Sequence, residues 1–416
     1  MLEFLNNQIV ADVVKSAVVI FALLTAFAYM TLIERRVVAK LQGRLGPNRA
    51  GPSGLFQPLA DALKMAFKEQ IIPSQAKKAI YLVAPVISVI VALCAFAVVP
   101  IGNSWIDGKP GPWDPIIGDI NVGLLWILSI SSLAVYGIVL GGWASGNRYS
   151  LLGSLRSAAQ MVSYETSLGL ALSGTLMWAG TLSMVGIIHA QLNQGIWFIA
   201  AQPLGFFLYL IAGIAEVNRA PFDLPEAEQE LTAGYLTEYS GLRWSLYQMA
   251  EYINMITVSA VASTLFFGGW SFFGFGLERI PGISILIFLV KVAFFLFLFI
   301  WIRATLPRIR YDRLMRLGWT TLLPLAVLNI VITAIVVALG WPWWVSCIAG
   351  LIIISAVLLY ERSKSIQAQS ISTVLMKEQG TTKQVVMPSS VRLAKFERVA
   401  QETDKSRGTS VGAGAE

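Results

Sequence analysis

The sequence predicts an all-α, polytopic membrane protein, and three observations carry that reading. Of the 416 residues, 56% are hydrophobic and only 13% are charged, with a mean hydropathy of +0.67. Soluble domains carry roughly 25% charged residues. The apolar residues gather into runs near the ~20 residues an α-helix needs to cross the hydrocarbon, too long and continuous for the alternating strands of a barrel. The segments between the runs alternate between basic and nearly uncharged.

Nine spans are expected, at about 10–33, 80–100, 122–145, 157–179, 196–216, 246–268, 283–303, 319–340 and 343–360. No charged n-region with a small-residue cleavage site precedes the first, so no cleaved signal peptide is expected. The last two are separated only by Gly340, Trp341 and Pro342. Segment 34–79 is rich in Lys and Arg, whereas 101–121 has only Lys109 beside Asp107, Asp114 and Asp119. Segments 146–156, 217–245 and 304–318 carry Arg148 and Arg156, Arg219 and Arg243, and Arg308, Arg310, Arg313 and Arg316. By the positive-inside rule the basic loops are cytoplasmic, which puts the N-terminus outside and the tail inside and requires an odd number of spans. The transmembrane domain is thus residues 1–360, with the last helix at 343–360. Residues 361–416 are polar, of mixed charge and aperiodic, and are expected to form a disordered cytoplasmic tail. The net charge of +7 speaks to orientation rather than to nucleic acid.

Cys94 and Cys347 lie inside apolar runs, and His189, the one histidine, is expected in a loop. These residues offer no zinc, haem or iron–sulfur ligand spacing, and the chain has no G-x-G-x-x-G or Walker loop. No metal, and no redox centre or nucleotide held by this chain, is expected.

In the first basic loop, a helix is expected from Pro58, since proline suits a first helical turn. Gln57, Asp61, Lys64 and Lys68 fall on one narrow polar stripe, and the remaining surface is Leu, Phe, Ala and Met. Such a helix lies in the membrane interface. It reads either as a surface anchor or as a wall of a site for an amphiphile, with Arg35, Arg36, Arg44 and Asp61 as polar groups.

The acids are concentrated in Glu216 to Gly241, EVNRAPFDLPEAEQELTAGYLTEYSG, between two apolar runs. Pro221 and Pro225 interrupt any helix there. A short helix after Pro225 would stack Glu226, Glu230 and Glu238 on one face, where like charges repel. That favours bound protons or arginine partners over a solvated face. Glu165 lies inside the fourth span, Glu216 ends the fifth and Glu251 starts the sixth. A charge at mid-bilayer costs about 2.5–3.5 kcal/mol, and burial disfavours the ionised carboxylate, so these groups are candidates for proton transfer. Lys291 and Arg303 are candidate cationic partners. Arg308, Arg310 and Arg316 read as topology signals.

The segments ERRVVAKLQGRLGPNRAGPSGLFQPLADALK, SAAQMVSYETSLGL, AEVNRAPFDLPEAEQELTAGYLTEYSG, MAEY and WIRATLPRIRYDRLM closely resemble the subunit 1 family of proton-translocating NADH:quinone oxidoreductase, respiratory complex I. GLFQPLADALK and PFDLPEAEQELTAG look like its two signatures, and the resemblance covers about residues 10–340. It implies a membrane-arm subunit in a bacterial inner membrane, with quinone as substrate. It implies a quinone chamber with Arg35, Arg44, Asp61, Phe222 and Asp223 beside it. It implies proton coupling through Glu165, Glu216, Glu226, Glu228, Glu230, Glu238 and Glu251. FMN and iron–sulfur clusters would sit in partner subunits, and the partners would be peripheral-arm and membrane-arm subunits. The family core has eight spans, so the ninth helix and the tail depart from it. Two other classes are compatible with the residues: the equivalent subunit of a hydrogenase-type or non-NADH quinone reductase complex, and a free-standing ion transporter.

Overall fold

In hydrocarbon every backbone N–H and C=O must be satisfied within the protein, which leaves a chain of long apolar runs to fold as helices. The computed structural model describes residues 8–103, 114–223, 233–272 and 282–379, and no strand occurs among them. The helices are α1 (Gln8–Leu41), α2 (Gln57–Phe67), α3 (Lys78–Phe96), α4 (Gly123–Ala144), α5 (Arg148–Ala179) and α6 (Met184–Gln194). They continue with α7 (Pro203–Glu216), α8 (Leu242–Phe267), α9 (Ile283–Thr305), α10 (Tyr311–Ala338) and α11 (Trp343–Gln379).

Local chemistry sets the ends. Asn147 caps α5 by accepting from the Tyr149 amide, and Ser183 caps α6 by accepting from the Gly186 amide. Gly180, Gly195 and Gly268 close α5, α6 and α8 in the left-handed conformation. Three helices overrun their apolar segments. α1 passes the expected end at 33 and stops only before Gly43. α5 begins at Arg148 instead of 157, because Asn147 provides the cap. α10 begins at Tyr311 instead of 319 and contains six π-helical residues, Leu317–Leu322. Pro324 follows them and cannot donate a main-chain hydrogen bond, so the irregular turn falls where the ladder is already interrupted.

Among the described residues, seven helices are long and apolar enough to cross a membrane, and α5 with α6, bent by 54°, would make an eighth. The expected span at 196–216 takes another form. A single turn, Phe198–Ala201, precedes the 14-residue α7, broken at Gln202 and Pro203. At ~1.5 Å per residue α7 is shorter than the ~30 Å hydrocarbon core. The chain divides into two compact units, Met1–Ile353 and Ile354–Glu416. In the second, helix continues to Gln379, through the first part of the segment expected to be disordered. No Gly or Pro occurs there before Gly380. The rest of that segment lies outside the described residues.

In the first unit α8 is buried along most of its length, packing on α3, α9, α1, α6 and α7, while α1 is buried along little of it. Lipid gives helices no hydrophobic drive to associate, so close approach of small residues does that work. A Cβ on Gly137 of α4 would run into Ser88 Oγ of α3, and one on Gly142 would run into Ser154 Oγ of α5. One close backbone contact bears on the acidic stretch. A Cβ on Gly153 of α5 would lie 2.5 Å from Gly234 Cα, in the 3-10 turn Gly234–Leu236 that ends it. Backbone cannot rotate aside, so Gly153→Ala is expected to destabilise the protein by about 1–3 kcal/mol through overpacking. The thermal dissociation midpoint of the purified assembly would register it; an unchanged midpoint would mean a looser contact than described.

Candidate functional site

The extension of α1 beyond its apolar run places Glu34, Arg35 and Val38 on helix rather than loop, and they face a cavity of about 830 Å³. α2 forms another wall through Pro58, Asp61, Lys64 and Met65; Trp244, Gln248 and Tyr252 of α8 and Arg303 of α9 complete much of the lining. Of the stripe read from sequence, Asp61 and Lys64 meet the cavity, whereas Gln57 and Lys68 do not line it and Lys68 lies past the end of α2. Asp61 Oδ2 accepts from Arg35 Nη1 at 2.6 Å, and Oδ1 accepts from Gln57 Nε2 at 3.1 Å. Leu59, Leu63 and Phe67, on the rest of α2, are exposed. Burial pushes the Asp61 carboxyl up, but the Arg35 hydrogen bond and charge, with Gln57 and Lys64, outweigh it and hold the group below the ordinary 3.8. A lowered value means that the pairing contributes above the ordinary Asp range and is lost as pH falls through the lowered value. Arg35 is half exposed, so the pair is worth no more than ~1 kcal/mol.

Deeper in the cavity is a buried ionic cluster. Glu34 Oε2 accepts from Arg219 Nη2 at 3.0 Å and from Tyr252 Oη at 2.6 Å, while Glu34 Oε1 pairs with Arg303. The Arg219 guanidinium lies 4.1 Å from the centre of the Tyr252 ring. The side chains of Glu34 and Arg219 are each only 6% exposed. Buried charges persist when paired and hydrogen-bonded, and this cluster meets both conditions.

Arg219 belongs to the turn that follows α7, and the turn leads to a second cavity. Glu216, the last residue of α7, lines a space of about 40 Å³ with Ser131, Tyr209, Asn254 and Thr257. That suffices for water, which needs ~10–15 Å³ by this measure. Ser131 is in hydrogen-bonding reach of Glu216, and the Glu165 charge acts on it. Glu165 itself accepts from Ser132. Glu216 thus stands beside a wettable space, which Glu165 does not line.

The remaining expected residues fall as follows. Arg44 lines the large cavity, its Nε donating to Gln42 Oε1 at 2.8 Å. Phe222 and Asp223 are buried but do not line it; the Phe222 ring packs against Tyr164, 6.1 Å between centres. Glu251 is buried in α8 and accepts from Tyr235 Oη at 3.3 Å. Glu238 Oε1 accepts from Asn147 Nδ2 at 2.7 Å. Glu226, Glu228 and Glu230, with the helix expected after Pro225, lie outside the described residues. Of the two candidate cations, Arg303 meets Glu34, and Lys291 donates to the carbonyls of Phe267, Gly269 and Ser271 at 2.5–2.8 Å. The sequence reading missed Glu34 and Tyr252 as site residues. The one local signal for Glu34 is its position as the first charge after α1's apolar run.

Comparison with known proteins identifies the family. The family described as NADH dehydrogenase matches residues 14–334. A subunit of the NADH-quinone oxidoreductase of Deinococcus deserti is 52% identical over 351 residues, covering 83% of this chain and 89% of the relative. NADH-quinone oxidoreductase subunit 8 of Thermus thermophilus is 50% identical over 348 residues, 83% of this chain and 93% of the relative. An NADH-quinone oxidoreductase subunit of Geobacter sulfurreducens is 48% identical over 340 residues, 79% and 96%. Both cavities are built from residues inside the matched range, and with identity near one half across it the chain belongs to the NADH dehydrogenase family.

Proposed function

We propose that this chain is the subunit 1 counterpart of a proton-translocating NADH:quinone oxidoreductase in a bacterial inner membrane, where it forms part of the quinone chamber and couples quinone reduction to proton movement. The observation that carries the reading is the large cavity, with its polar groups backed by a buried ionic cluster and one wall made by an amphipathic helix. A quinone presents two carbonyl oxygens on a flat apolar ring. Arg35 and Gln248 offer N–H donors on the cavity wall, while Phe27, Val38 and Met65 offer apolar surface. The exposed Leu and Phe side chains of α2 suit a place in the interface, where an isoprenoid tail arrives from the bilayer.

Reduction of the bound quinone to quinol takes two electrons, supplied by partner subunits that hold FMN and iron–sulfur clusters, and two protons. The loss of those protons changes the charge balance around Glu34, Arg219 and Arg303. Arg219 and Glu216 share one turn, so the change is felt at Glu216, beside the small cavity, and from there along the proton path that includes Glu165. The basic loops face the cytoplasm and the peripheral-arm subunits, and the apolar surface meets lipid and the other membrane-arm subunits.

Arg35→Met tests the chamber. Losing one charged hydrogen bond, about 1.5–3 kcal/mol, is expected to raise KM for a short-chain quinone roughly tenfold or more in the assembled complex. An assembled complex with unchanged KM would remove Arg35 from the chamber.

A further inference from the structure

One buried side chain ties the two cavities together without lining either. Gln160 lies on α5, is 0% exposed, and reaches the turn between α7 and α8. Its Nε2 donates to the Ala215 carbonyl and to the Phe222 carbonyl, both at 2.8 Å. Both partners are acceptors, so only the amide nitrogen can face them, and the orientation of the amide follows. The two carbonyls stand at opposite ends of the turn. Between them the chain carries Glu216, which faces the small cavity, and Arg219, which holds Glu34 in the large one. The turn's own hydrogen bonds are local: Asn218 N to Ala215 O at 3.3 Å, Arg219 N to Ile214 O at 3.4 Å and Phe222 N to Arg219 O at 2.9 Å. None of these spans both ends, whereas the Gln160 amide does.

We propose that Gln160 is a positioning residue whose single amide group fixes Glu216 and Arg219 in one register, so that the chamber and the internal carboxylates move as one unit. Leucine at this site would keep the volume and lose both donors. Glutamate would keep the length and, protonated, one O–H donor for two carbonyls. No apolar contact or cap can replace the clamp, because two buried carbonyls would lose a partner at once. The proposal rests on the reading that the large cavity takes quinone and that Glu216 belongs to the proton path.

The experiment uses the whole complex in inverted membrane vesicles and compares Gln160→Leu, Gln160→Glu and Glu216→Gln with the unaltered protein. Quinone KM, kcat and protons moved per NADH are measured per assembled complex. Gln160→Leu is expected to raise quinone KM roughly three- to tenfold, the range of a lost neutral hydrogen bond, and to lower protons per NADH; Gln160→Glu is expected to fall between. A residue needed only for folding would lower the amount of complex and leave KM and stoichiometry unmoved, which overturns the proposal. If Gln160→Leu does not assemble, Gln160→Glu decides on the same readouts, and failure of both to assemble assigns Gln160 to folding and overturns it too. Glu216→Gln separates the two levels. A full proton yield in that variant sinks the underlying reading. A lowered yield there, with Gln160→Leu unaltered in KM and stoichiometry, sinks this proposal alone.

Discussion

Replacing Glu34 with alanine is expected to destabilise the protein by about 3–5 kcal/mol and to abolish most quinone turnover, because it leaves buried cations without their counter-charge. Arg219 Nη2 sits 3.0 Å from the Glu34 carboxylate with both side chains almost wholly buried, and Arg303 approaches from α9. Without the carboxylate, two guanidinium groups face each other across the space it filled, and Tyr252 loses the acceptor for its hydroxyl. Glu34→Gln keeps the shape but not the charge, so its loss should be only partly smaller. Neutralising the buried cation as well, in Glu34→Ala with Arg219→Met, should recover part of the stability, since removing a whole buried pair costs less than breaking it. Thermal dissociation of the purified complex reads the first quantity and quinone reductase activity the second. A stable, active Glu34→Ala complex would mean that the cluster is solvated.

The second large effect is expected at Lys291. Its ammonium group donates to the carbonyls of Phe267, Gly269 and Ser271 where α8 ends at Gly268. The last carbonyls of a helix have no partner within it, and a cation there also meets the negative end of the helix dipole. The ring of Trp197 lies 4.9 Å from the same nitrogen. Lys291→Met is expected to cost at least the ~1.5–3 kcal/mol of one charged hydrogen bond, read as a lower dissociation temperature. Quinone KM should hold in whatever complex assembles, since the site lies apart from the large cavity's lining. A raised KM at unchanged stability would reverse this assignment.

The contrast between Lys291 and Glu34 shows what the sequence reveals and what it hides. Helices were legible because a 20-residue apolar run admits few alternatives in lipid. The α2 stripe was legible because Gln57, Asp61 and Lys64 lie within one helix, where spacing fixes the face. Glu165 and Glu216 stood out as charges in apolar surroundings, and Glu216 lines the small cavity. Pairing was not legible. Glu34 is separated from Arg219 by 185 positions, and nothing local marks either as the other's partner. Lys291 in an apolar run suggests an acid partner equally well as a carbonyl cage, and the two differ only in tertiary contact. The boundaries missed for the same reason in reverse: α1 is extended by a segment free of Gly and Pro, and α5 and α10 by largely polar segments whose helix runs through Gly153 and Gly318. The span at 196–216 was read from hydropathy alone, and the break at Gln202 and Pro203 shortened it.

Quinone reduction and proton movement are proposed to meet at Glu216. Protons moved per NADH oxidised, measured in inverted vesicles carrying assembled Glu216→Gln complex, is therefore the most direct test. The expected result is a lowered proton yield per NADH, with the purified complex retaining its subunits. An unchanged yield at unchanged turnover would contradict it, and would make the carboxylate beside the small cavity a structural group.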